Sequence, residues 1–232
     1  VAWGFAKAAS DRGVDIIDRC EVTGIEVVDG AVAGVETTRG KIRAKKIGIA
    51  VAGHSSQVAA MAGITLPIES HLLQAWVSEA LKPMIAGVVT FGAGHFYISQ
   101  SDKGGLVFGG GLDGYSSYSQ RGTMTEMRHV LAAGVAMIPA LSRTRALRSW
   151  AGVMDMTPDG SPIICRLPVR GLYMSGGWCY GGFKATPGSG WCHAWTIAKD
   201  APHPLNAAFT LDRFHRGAQL DEKGAGPFFW MH

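Results

Sequence analysis

A glycine-rich stretch in the last third of the chain carries a single lysine. It reads SGGWCYGGFKATPGSGW and spans residues 175–191, with Lys184 near its centre. Gly181 and Gly182 lack a Cβ atom, so a ligand or another strand can lie against the bare backbone there. The stretch is therefore a candidate binding loop for something flat or negatively charged.

A helix is predicted to follow this loop at once. Pro187 is typical of a first helical turn, so we expect a helix from there to about Ala198, with Gly188 and Gly190 at its start. The first N–H groups of a helix lack intrahelical acceptors and are electropositive, and Lys184 adds a full charge. This suits a phosphate, a carboxylate or the pyrimidine edge of a flavin. A tight strand-to-helix turn with a surface lysine explains the pattern as well, so both interpretations stay open.

A second glycine-bearing strand end lies earlier in the chain, in IAVAGHSS (49–56). Ligands in open α/β sheets bind at the carboxyl ends of the strands. We therefore expect Ala52 and Gly53 to face the same cofactor as the first loop. The chain contains no GxGxxG and no GxxxxGK[ST] motif, so neither loop is a nucleotide fingerprint by itself.

Other reactive residue types give weaker signals. His95 in GHFYISQ stands beside two aromatic residues, which fits either a functional histidine or a satisfied core or edge residue. His54 and His71 are interpreted as structural. The cysteines form no CxxC motif and lack zinc-finger spacing to any histidine, which predicts free thiols in a reducing cytosol and no metal site; they are Cys20, Cys165, Cys179 and Cys192.

The composition excludes several classes of protein. Hydrophobic residues make up 47% and charged residues 17% of the 232 positions, as in a packed globular chain. The net charge is +4, and the basic cluster at residues 41–46 is interpreted as a solvated strand and turn, so no nucleic-acid partner is expected. Apolar runs are far shorter than the roughly 20 residues of a membrane span, so no membrane association is expected either.

The helices and strands that would position these residues are predicted from the spacing of apolar residues and from turn signals. Asp29-Gly30 between two alternating apolar runs predicts a hairpin. Closely spaced strands are predicted at 72–81, 88–91, 96–100 and 106–110, which indicates an antiparallel sheet. Residues 123–141 predict an amphipathic helix with a capping box from Thr123 to Glu126. Buried strands return in 145–178, and the tail after residue 199 is predicted to be irregular and to wrap the surface.

Several segments together resemble a known family. They are CEVTGI, TTRGKIRAKKIGIAVAGHSS, LRSWAGVMDMTPDGSPII, GGFKATPGSGW and AKDAPHPLNAAFTLDRF. The combination is similar to the β subunits of heterotetrameric sarcosine oxidases, which belong to the superfamily of glycine oxidase and D-amino-acid oxidase. The resemblance covers residues 1 to about 224. Family members run to about 400 residues, and the matching part is C-terminal. The family's dinucleotide fingerprint and its FMN-linked histidine are therefore expected upstream of Val1.

The resemblance implies an α+β fold. It would combine part of an FAD-binding domain of the glutathione-reductase-like α/β type with an antiparallel-sheet substrate domain, as in D-amino-acid oxidase. We expect the first FAD-binding segment at 1–63 and the substrate domain at 64–145. The second FAD-binding segment is expected at 146–200, and a C-terminal tail at 201–232.

The resemblance also implies roles for individual residues. Lys184 matches a lysine at the FMN, and His95 a histidine near the FMN and substrate, so these two are the candidate catalytic residues. Cys179 stands where relatives have glycine, and its side chain is expected to crowd FAD or to shift the loop. The residues with expected cofactor contacts, including the Arg-x-Trp pair of the flavin-side strand, are Val22, Ala52, Gly53, Arg148, Trp150, Cys179, Gly181, Gly182 and Lys184.

The implied activity is oxidative demethylation of sarcosine with FAD and FMN as cofactors. The products would be glycine, hydrogen peroxide, and formaldehyde or 5,10-methylenetetrahydrofolate. The implied partners are the other subunits of a cytoplasmic hetero-oligomer, with tetrahydrofolate bound through one of them. Two alternatives stay open: a single-subunit FAD-dependent glycine or amine oxidase, and a truncated chain that serves only as an assembly surface.

Overall fold

The computed structural model describes residues 1–92 and 96–220. Five α-helices lie in this part of the chain: α1 (Ala2–Ser10), α2 (Ser55–Ala60), α3 (Met124–Met137), α4 (Gly182–Lys199) and α5 (Asp212–His215). The strands are β1 (Val22–Val28), β2 (Ala31–Thr37), β3 (Gly40–Arg43), β4 (Ile47–Ile49), β5 (Glu69–Ala80), β6 (Val89–Phe91), β7 (Phe96–Gln100), β8 (Gly105–Leu112), β9 (Ala146–Met156), β10 (Ile163–Arg166) and β11 (Leu172–Gly176).

Three sheets organise these strands. An antiparallel sheet has the order β1-β2-β3, and the predicted hairpin at Asp29-Gly30 is confirmed, with positive φ angles of 50° and 72° at the two turn residues. A second sheet has the order β10-β11-β4, in which β11 runs parallel to β4 and antiparallel to β10. The third is a five-stranded sheet of order β6-β7-β8-β5-β9, with all pairs antiparallel.

The five-stranded sheet buries one face against α3. Trp76 of β5, Ile98 of β7 and Phe108 of β8 lie on this face, and Val130 of α3 packs against the same cluster. The predicted antiparallel sheet and amphipathic helix are therefore confirmed. We call the opposite face of this sheet the open face, since α3 lies on the other side of the sheet.

The capping box at the start of α3 forms only in part. The Thr123 hydroxyl accepts the backbone N–H of Glu126 at 3.4 Å, as predicted. The backbone N–H of Thr123, which the Glu126 side chain would accept in a full box, instead donates to Gln74 Oε1 at 2.9 Å. A buried glutamine of β5 thus fixes the helix start to the sheet.

The predicted start of α4 is wrong by about one turn and a half. The helix begins at Gly182, so Pro187 lies inside it rather than in the first turn. Proline removes only the N–H that would reach the carbonyl of Phe183, and the preceding turn is closed by other bonds. Ala185 N–H donates to Gly181 O at 3.3 Å, and the Thr186 hydroxyl donates to Gly182 O at 3.0 Å. Gly188 and Gly190 are consequently interior residues of α4.

The division into domains stays a prediction, but the strand pairing of β9 bears on it. β9, assigned to the second FAD-binding segment, pairs with β5 from Glu69↔Met156 to Ser78↔Ala146. Its hydrogen bonds therefore belong to the five-stranded sheet.

Among the described helices, none combines the length and hydropathy needed to cross a bilayer.

The C-terminal segment is anchored more firmly than the sequence predicts. Arg213 of α5 is 1% exposed and forms a bidentate ion pair with buried Asp159, with N–O distances of 2.7 and 2.9 Å. Asn206 is also buried, and its side-chain amide donates to Ile164 O of β10. The prediction of an irregular tail is thus wrong at Pro204–Asn206 and Asp212–His215, which are short helices, and buried polar side chains tie the segment to the core. The tail after residue 220 lies outside the described residues.

The ion pair between Asp159 and Arg213 gives a prediction about stability. In Asp159→Asn, Arg213 stays charged and buried without its counter-charge, so the free energy of unfolding should fall by about 3 kcal/mol or more. The exposed pair of Asp212 and Arg216 supplies the control, since Asp212→Asn should cost less than about 1 kcal/mol. Urea unfolding of both variants measures the difference, and equal effects would contradict the prediction.

The ion pair between Asp159 and Arg213 also makes the stability difference between wild type and Asp159→Asn depend on pH. Burial alone would raise the pKa of Asp159, but hydrogen bonds from Arg213, Leu220 N–H and Ser161 N–H, together with the guanidinium charge, lower the pKa overall. A lowered pKa stabilises the fold above the unfolded-state value of about 3.9, and this contribution is lost as pH falls through the folded-state value. The gap between wild type and Asp159→Asn should be full at neutral pH and should narrow below about pH 4.

Candidate functional site

Parallel pairing brings the two glycine-bearing strand ends to one edge of the β10-β11-β4 sheet. The register joins Leu172 to Ile47 and Met174 to Ile49, so both strands end on the same side. Residues 50–54 leave β4 there, and residues 177–181 leave β11 beside them. The expectation that the two loops face one position is therefore supported by the strand pairing.

Two glycines in these loops have a backbone that other residues rarely adopt. Gly53 has φ +67° and Gly177 has φ +68°, both in the left-handed region. A Cβ atom on Gly53 would lie 3.0 Å from Val153 Cβ, and one on Gly177 would lie 2.5 Å from Thr157 Cγ2. The loops are thus packed directly against the end of β9, with no room for a side chain at either position.

Buried polar side chains tie the two loops to the end of β9. The Ser55 hydroxyl, at the start of α2, donates to Asp155 Oδ2, and the backbone N–H of Cys179 donates to Asp155 O at 2.9 Å. The Ser70 hydroxyl donates to Gly53 O at 2.8 Å. The second carboxylate oxygen of Asp155 is buried and accepts no hydrogen bond from the described residues. Three segments distant in sequence therefore meet at one residue, Asp155.

Cys179 adopts a left-handed backbone without being glycine. Its φ is 49°, and its sulfur lies 3.5 Å from the N–H of Thr157 and 3.6 Å from the Thr157 hydroxyl. Burial raises the pKa of the Cys179 thiol, which favours the neutral form. The Cys179 thiol lies against fully buried Thr157, and this position argues against crowding of a ligand. That the Cys179 side chain crowds FAD or shifts the loop stays a prediction.

Lys184 lies in the first turn of α4, where the helix dipole is electropositive. Its ammonium donates to Tyr180 O at 3.3 Å and is exposed. A cation is unfavourable at a helix N-terminus, and α4 has no acidic residue in its first turn to offset it. The local charge would be balanced by an anion or an electron-rich ring placed over Gly181 and Gly182, both of which are half-buried.

The other predicted site residues lie at different distances from these loops. Ala52 is exposed directly before Gly53, in the expected place. Val22 begins β1, in the β1-β2-β3 sheet, and no described hydrogen bond joins it to the glycine loops. Arg148 and Trp150 lie on β9 in the five-stranded sheet and are exposed. His95 lies outside the described residues.

Strand register places Arg148 and Trp150 on the open face. Tyr97, Gly109, Ala75 and Trp150 stand opposite one another in turn across β7, β8, β5 and β9, so they share one side of the sheet. Arg148 stands in the neighbouring row, opposite Val77. The open face is thus lined by a cation and two aromatic side chains, with small residues between the aromatics.

Tyr97 is a candidate site residue that sequence reasoning missed. A Cβ atom on Gly109 would lie 2.9 Å from the Tyr97 hydroxyl, so the phenol extends over the glycine toward the centre of the open face. Burial raises the pKa of Tyr97, so its hydroxyl remains a neutral donor in the physiological range. The alternation of apolar and polar residues in FYISQ shows that Tyr97 and Phe96 face opposite sides, but only the strand pairing shows which side is open.

These features fit an aromatic cofactor with anionic groups. Bare glycine backbone provides close approach, and the α4 N-terminus and Lys184 provide positive charge. The glycine loops lie at the carboxyl ends of parallel strands, where open α/β sheets bind their ligands. Fold and site together describe a sheet with two glycine loops at the carboxyl ends of parallel strands, suited to a ligand with a flat or anionic part, joined to an antiparallel sheet.

Comparison with known proteins places the chain in a family. It belongs to the FAD dependent oxidoreductase family DAO, whose family model matches residues 1–195. It is 66% identical over 226 residues to sarcosine oxidase subunit beta of Rhizobium meliloti (strain 1021), covering 97% of this chain and 54% of that protein. The corresponding subunit of an Arthrobacter species is 49% identical over 225 residues, covering 97% and 56%. The chain thus spans about half the length of these curated relatives.

Solved structures show the same fold. L-proline dehydrogenase from P. horikoshii superposes with a TM-score of 0.81 at 31% identity, covering 92% of this chain and 58% of that one. Glycine oxidase from Geobacillus kaustophilus gives a TM-score of 0.80 at 22% identity, covering 91% and 57%. The expected fold class, an α/β part with an antiparallel sheet as in this family, is confirmed.

The tight packing of Gly177 yields a prediction about FAD affinity. In Gly177→Ala the new Cβ meets Thr157 and adopts an unfavourable φ, which costs at least about 1–2 kcal/mol and displaces the loop. FAD affinity of the full-length protein, measured by flavin fluorescence quenching, should fall about tenfold or more. Gly188→Ala is the matched control: it has open space inside α4 and should keep FAD affinity while gaining up to about 1 kcal/mol of helix stability. Equal FAD affinity in both variants would contradict the inference that the packing of Gly177 against Thr157 shapes the FAD site.

Proposed function

We propose that this chain is part of an FAD-binding β subunit that oxidises sarcosine. One observation supports this most strongly: two glycine-bearing ends of parallel strands meet beside Lys184 at a helix start, in a chain 66% identical to a sarcosine oxidase subunit beta. The reaction would convert sarcosine, water and O2 to glycine, formaldehyde and hydrogen peroxide. With tetrahydrofolate bound by a partner subunit, the one-carbon product would be 5,10-methylenetetrahydrofolate.

The residues of the two loops would hold the cofactor. Gly181 and Gly182 would allow a flat ring system or a phosphate chain to contact the main chain, and α4 would direct its first N–H groups toward it. Bound FAD would accept the hydride equivalent from the N-methyl carbon of the amine. Lys184 would then stabilise negative charge that develops on an electron-rich ring or on reduced oxygen.

A second flavin is part of the same proposal. In this proposal FMN would bind near Lys184, attached to a histidine of the full-length protein, as the family resemblance implies. The position of Lys184 supports a role there, because its ammonium is exposed at the outer side of the first turn of α4 rather than buried beneath the loop. We propose a cytoplasmic location, because its four cysteines are free, as is usual in a reducing compartment.

The open face of the five-stranded sheet would bind the substrate. Tyr97 offers a neutral hydroxyl, Arg148 a guanidinium, and Trp150 a partly exposed ring beside small residues. A hydroxyl donor and a cation suit the carboxylate of an amino acid, and an aromatic wall suits a methylammonium group. Sarcosine carries both groups within three bonds.

One alternative has a specific observation in its favour. The solved L-proline dehydrogenase shares 31% identity and a TM-score of 0.81 with this chain, and proline, like sarcosine, is a secondary amine. A single-subunit FAD-dependent oxidase or dehydrogenase of a secondary amino acid is therefore the second candidate. Turnover of sarcosine and proline by the full-length protein, and the number of flavins per chain, separate the two.

The proposal predicts the effect of removing the Lys184 charge. In the full-length protein with its partner subunits, Lys184→Met should lower the rate of oxygen consumption with sarcosine about a hundredfold, since one charge-stabilising donor is lost. Lys45→Met is the control, because Lys45 is exposed before β4, at the opposite end of the strand from the loops. An oxygen electrode measures both rates. A colourless wild-type protein, or equal rates in the two variants, would contradict the proposal.

Tyr97 provides an independent test of the substrate site. Tyr97→Phe removes a hydroxyl donor to a charged carboxylate, which is worth about 1.5–3 kcal/mol, so kcat/KM for sarcosine should fall about 10- to 150-fold. The flavin absorption spectrum should be unchanged. Tyr115→Phe, on an exposed tyrosine of the loop after β8, should leave kcat/KM unaltered. A loss of flavin in Tyr97→Phe, or no change in kcat/KM, would exclude the assigned role.

A further inference from the structure

An exposed group of aromatic and apolar side chains lies where α4 meets the 203–206 segment. We call it the aromatic patch; it consists of Trp191, Trp195, His203 and Leu205. The indole rings are 5.5 Å apart between centroids, and the His203 ring meets both edge-on, at 4.6 and 5.3 Å. Trp191 is 53% exposed, Trp195 37% and Leu205 73%. The patch is thus ordered by its own contacts while much of its surface remains accessible.

The patch is not needed to attach α4 to the sheet. The buried residues of the helix are Cys192 and Thr196, and the Thr196 hydroxyl is held between Cys192 O and the Asn206 amide. The tryptophans lie on one flank of this buried stripe. Rigid tryptophans with accessible surface are the residues most enriched among energetically dominant contacts between proteins. The side of α4 that carries the two tryptophans therefore resembles a protein–protein interface more than a hydrophobic core.

The part of the protein outside this structure would join the sheet elsewhere. β4 is an edge strand among the described residues, and an unpaired edge is usually paired or covered. The other edge strand, β10, is already covered, because Ile164 N–H donates to Phe209 O and Ile164 O accepts from Asn206. Further strands of the same chain can therefore extend the sheet only beside β4.

The two flanks of α4 face these two edges. His193 and Ile197 lie over β4, since a Cβ atom on Gly48 would be 2.9 Å from both side chains. At 3.6 residues per turn, Trp195 lies about 160° around the helix from His193. The aromatic patch is therefore on the β10 side, and β10 is two strands, or about 10 Å, from β4. Strands added beside β4 would not cover it.

The charges around the patch indicate the chemistry of its partner. Lys199 lies 5.6 Å from the Trp195 ring, and Arg166 is close by through its bond to Asp200 O. Two cations and one carboxylate, Asp200, border the patch, so a complementary surface would be apolar at its centre and acidic at its rim.

We propose that the aromatic patch binds another subunit of the hetero-oligomer, a different chain with an apolar pocket rimmed by acidic groups. This inference rests on the proposed function, in which the chain is one subunit among several, as the name of its relatives implies. Trp191 and Trp195 enter the pocket, and Lys199 and Arg166 pair with the rim. The remainder of the same chain occupies the β4 edge, so the two surfaces have different occupants.

The test uses the full-length protein co-expressed with its partner subunits. Trp191→Ala combined with Trp195→Ala should weaken subunit binding about 30-fold or more, measured by concentration-dependent native mass spectrometry. Ile42→Ala, an exposed apolar residue of β3, is the control and should leave the binding unchanged. Subunit affinity within about twofold of wild type in the double variant would overturn the inference.

A second pair of variants avoids any effect on folding. Leu205 is 73% exposed, so Leu205→Glu and Leu205→Lys should both fold, as circular dichroism can verify. Facing an acidic rim, Leu205→Glu should lower the subunit affinity at least tenfold more than Leu205→Lys. Equal effects of the two charges would overturn the assigned partner chemistry. Loss of a homodimer with the hetero-oligomer intact would identify a second copy as the occupant and would also overturn the proposal.

The readouts separate this inference from the proposed function. Flavin absorbance and sarcosine oxidation by the wild-type complex test the function, and subunit affinity tests the patch. A wild-type complex that is yellow and active, while the patch variants assemble normally, would leave the function intact and refute the patch. A wild-type protein without flavin or without partner subunits would refute both.

Discussion

The parallel pairing of β4 with β11 is the constraint on which the rest of the site depends. Three residue pairs, from Leu172↔Ile47 to Met174↔Ile49, join segments more than 120 positions apart in the chain. Gly48 lies in the middle of this pairing, and its missing side chain lets His193 and Ile197 of α4 approach the strand. The same pairing sets the positions of both loops and of the helix that follows. A shift of one residue would reverse the faces of β4 and separate the loops.

Buried polar groups hold the three segments of the site together. Asp155 accepts from Ser55 with its side chain and from Cys179 with its backbone, and Thr157 lies under the Cys179 thiol. Such contacts are directional, so they fix the loops more closely than apolar packing would. The five-stranded sheet is thereby joined to the two glycine loops through the end of β9.

Much of the fold follows from local sequence signals, and the site follows only in part. The Asp29-Gly30 hairpin and the strands around residues 69–112 are specified by turn residues and alternation within a few positions. The start of α4 was mispredicted because Pro187 is a strong local signal, whereas the closing bonds come from Thr186 and Gly181. The row from Tyr97 to Trp150 depends on pairing across four strands, and Arg213 and Asp159 are 54 positions apart. No short-range sequence pattern identifies the cross-strand row or the buried ion pair. The roles of Lys184 and the other site residues derive from the family resemblance rather than from periodicity.

The buried ion pair between Asp159 and Arg213 has a consequence for biosynthesis. At about 5–20 residues per second, a ribosome adds the arginine roughly three to ten seconds after the aspartate. During that interval β10 and its covering segment cannot reach their final arrangement, since the carboxylate lacks its counter-ion. Asp159 therefore gains its counter-ion only once the segment that carries Arg213 has been made.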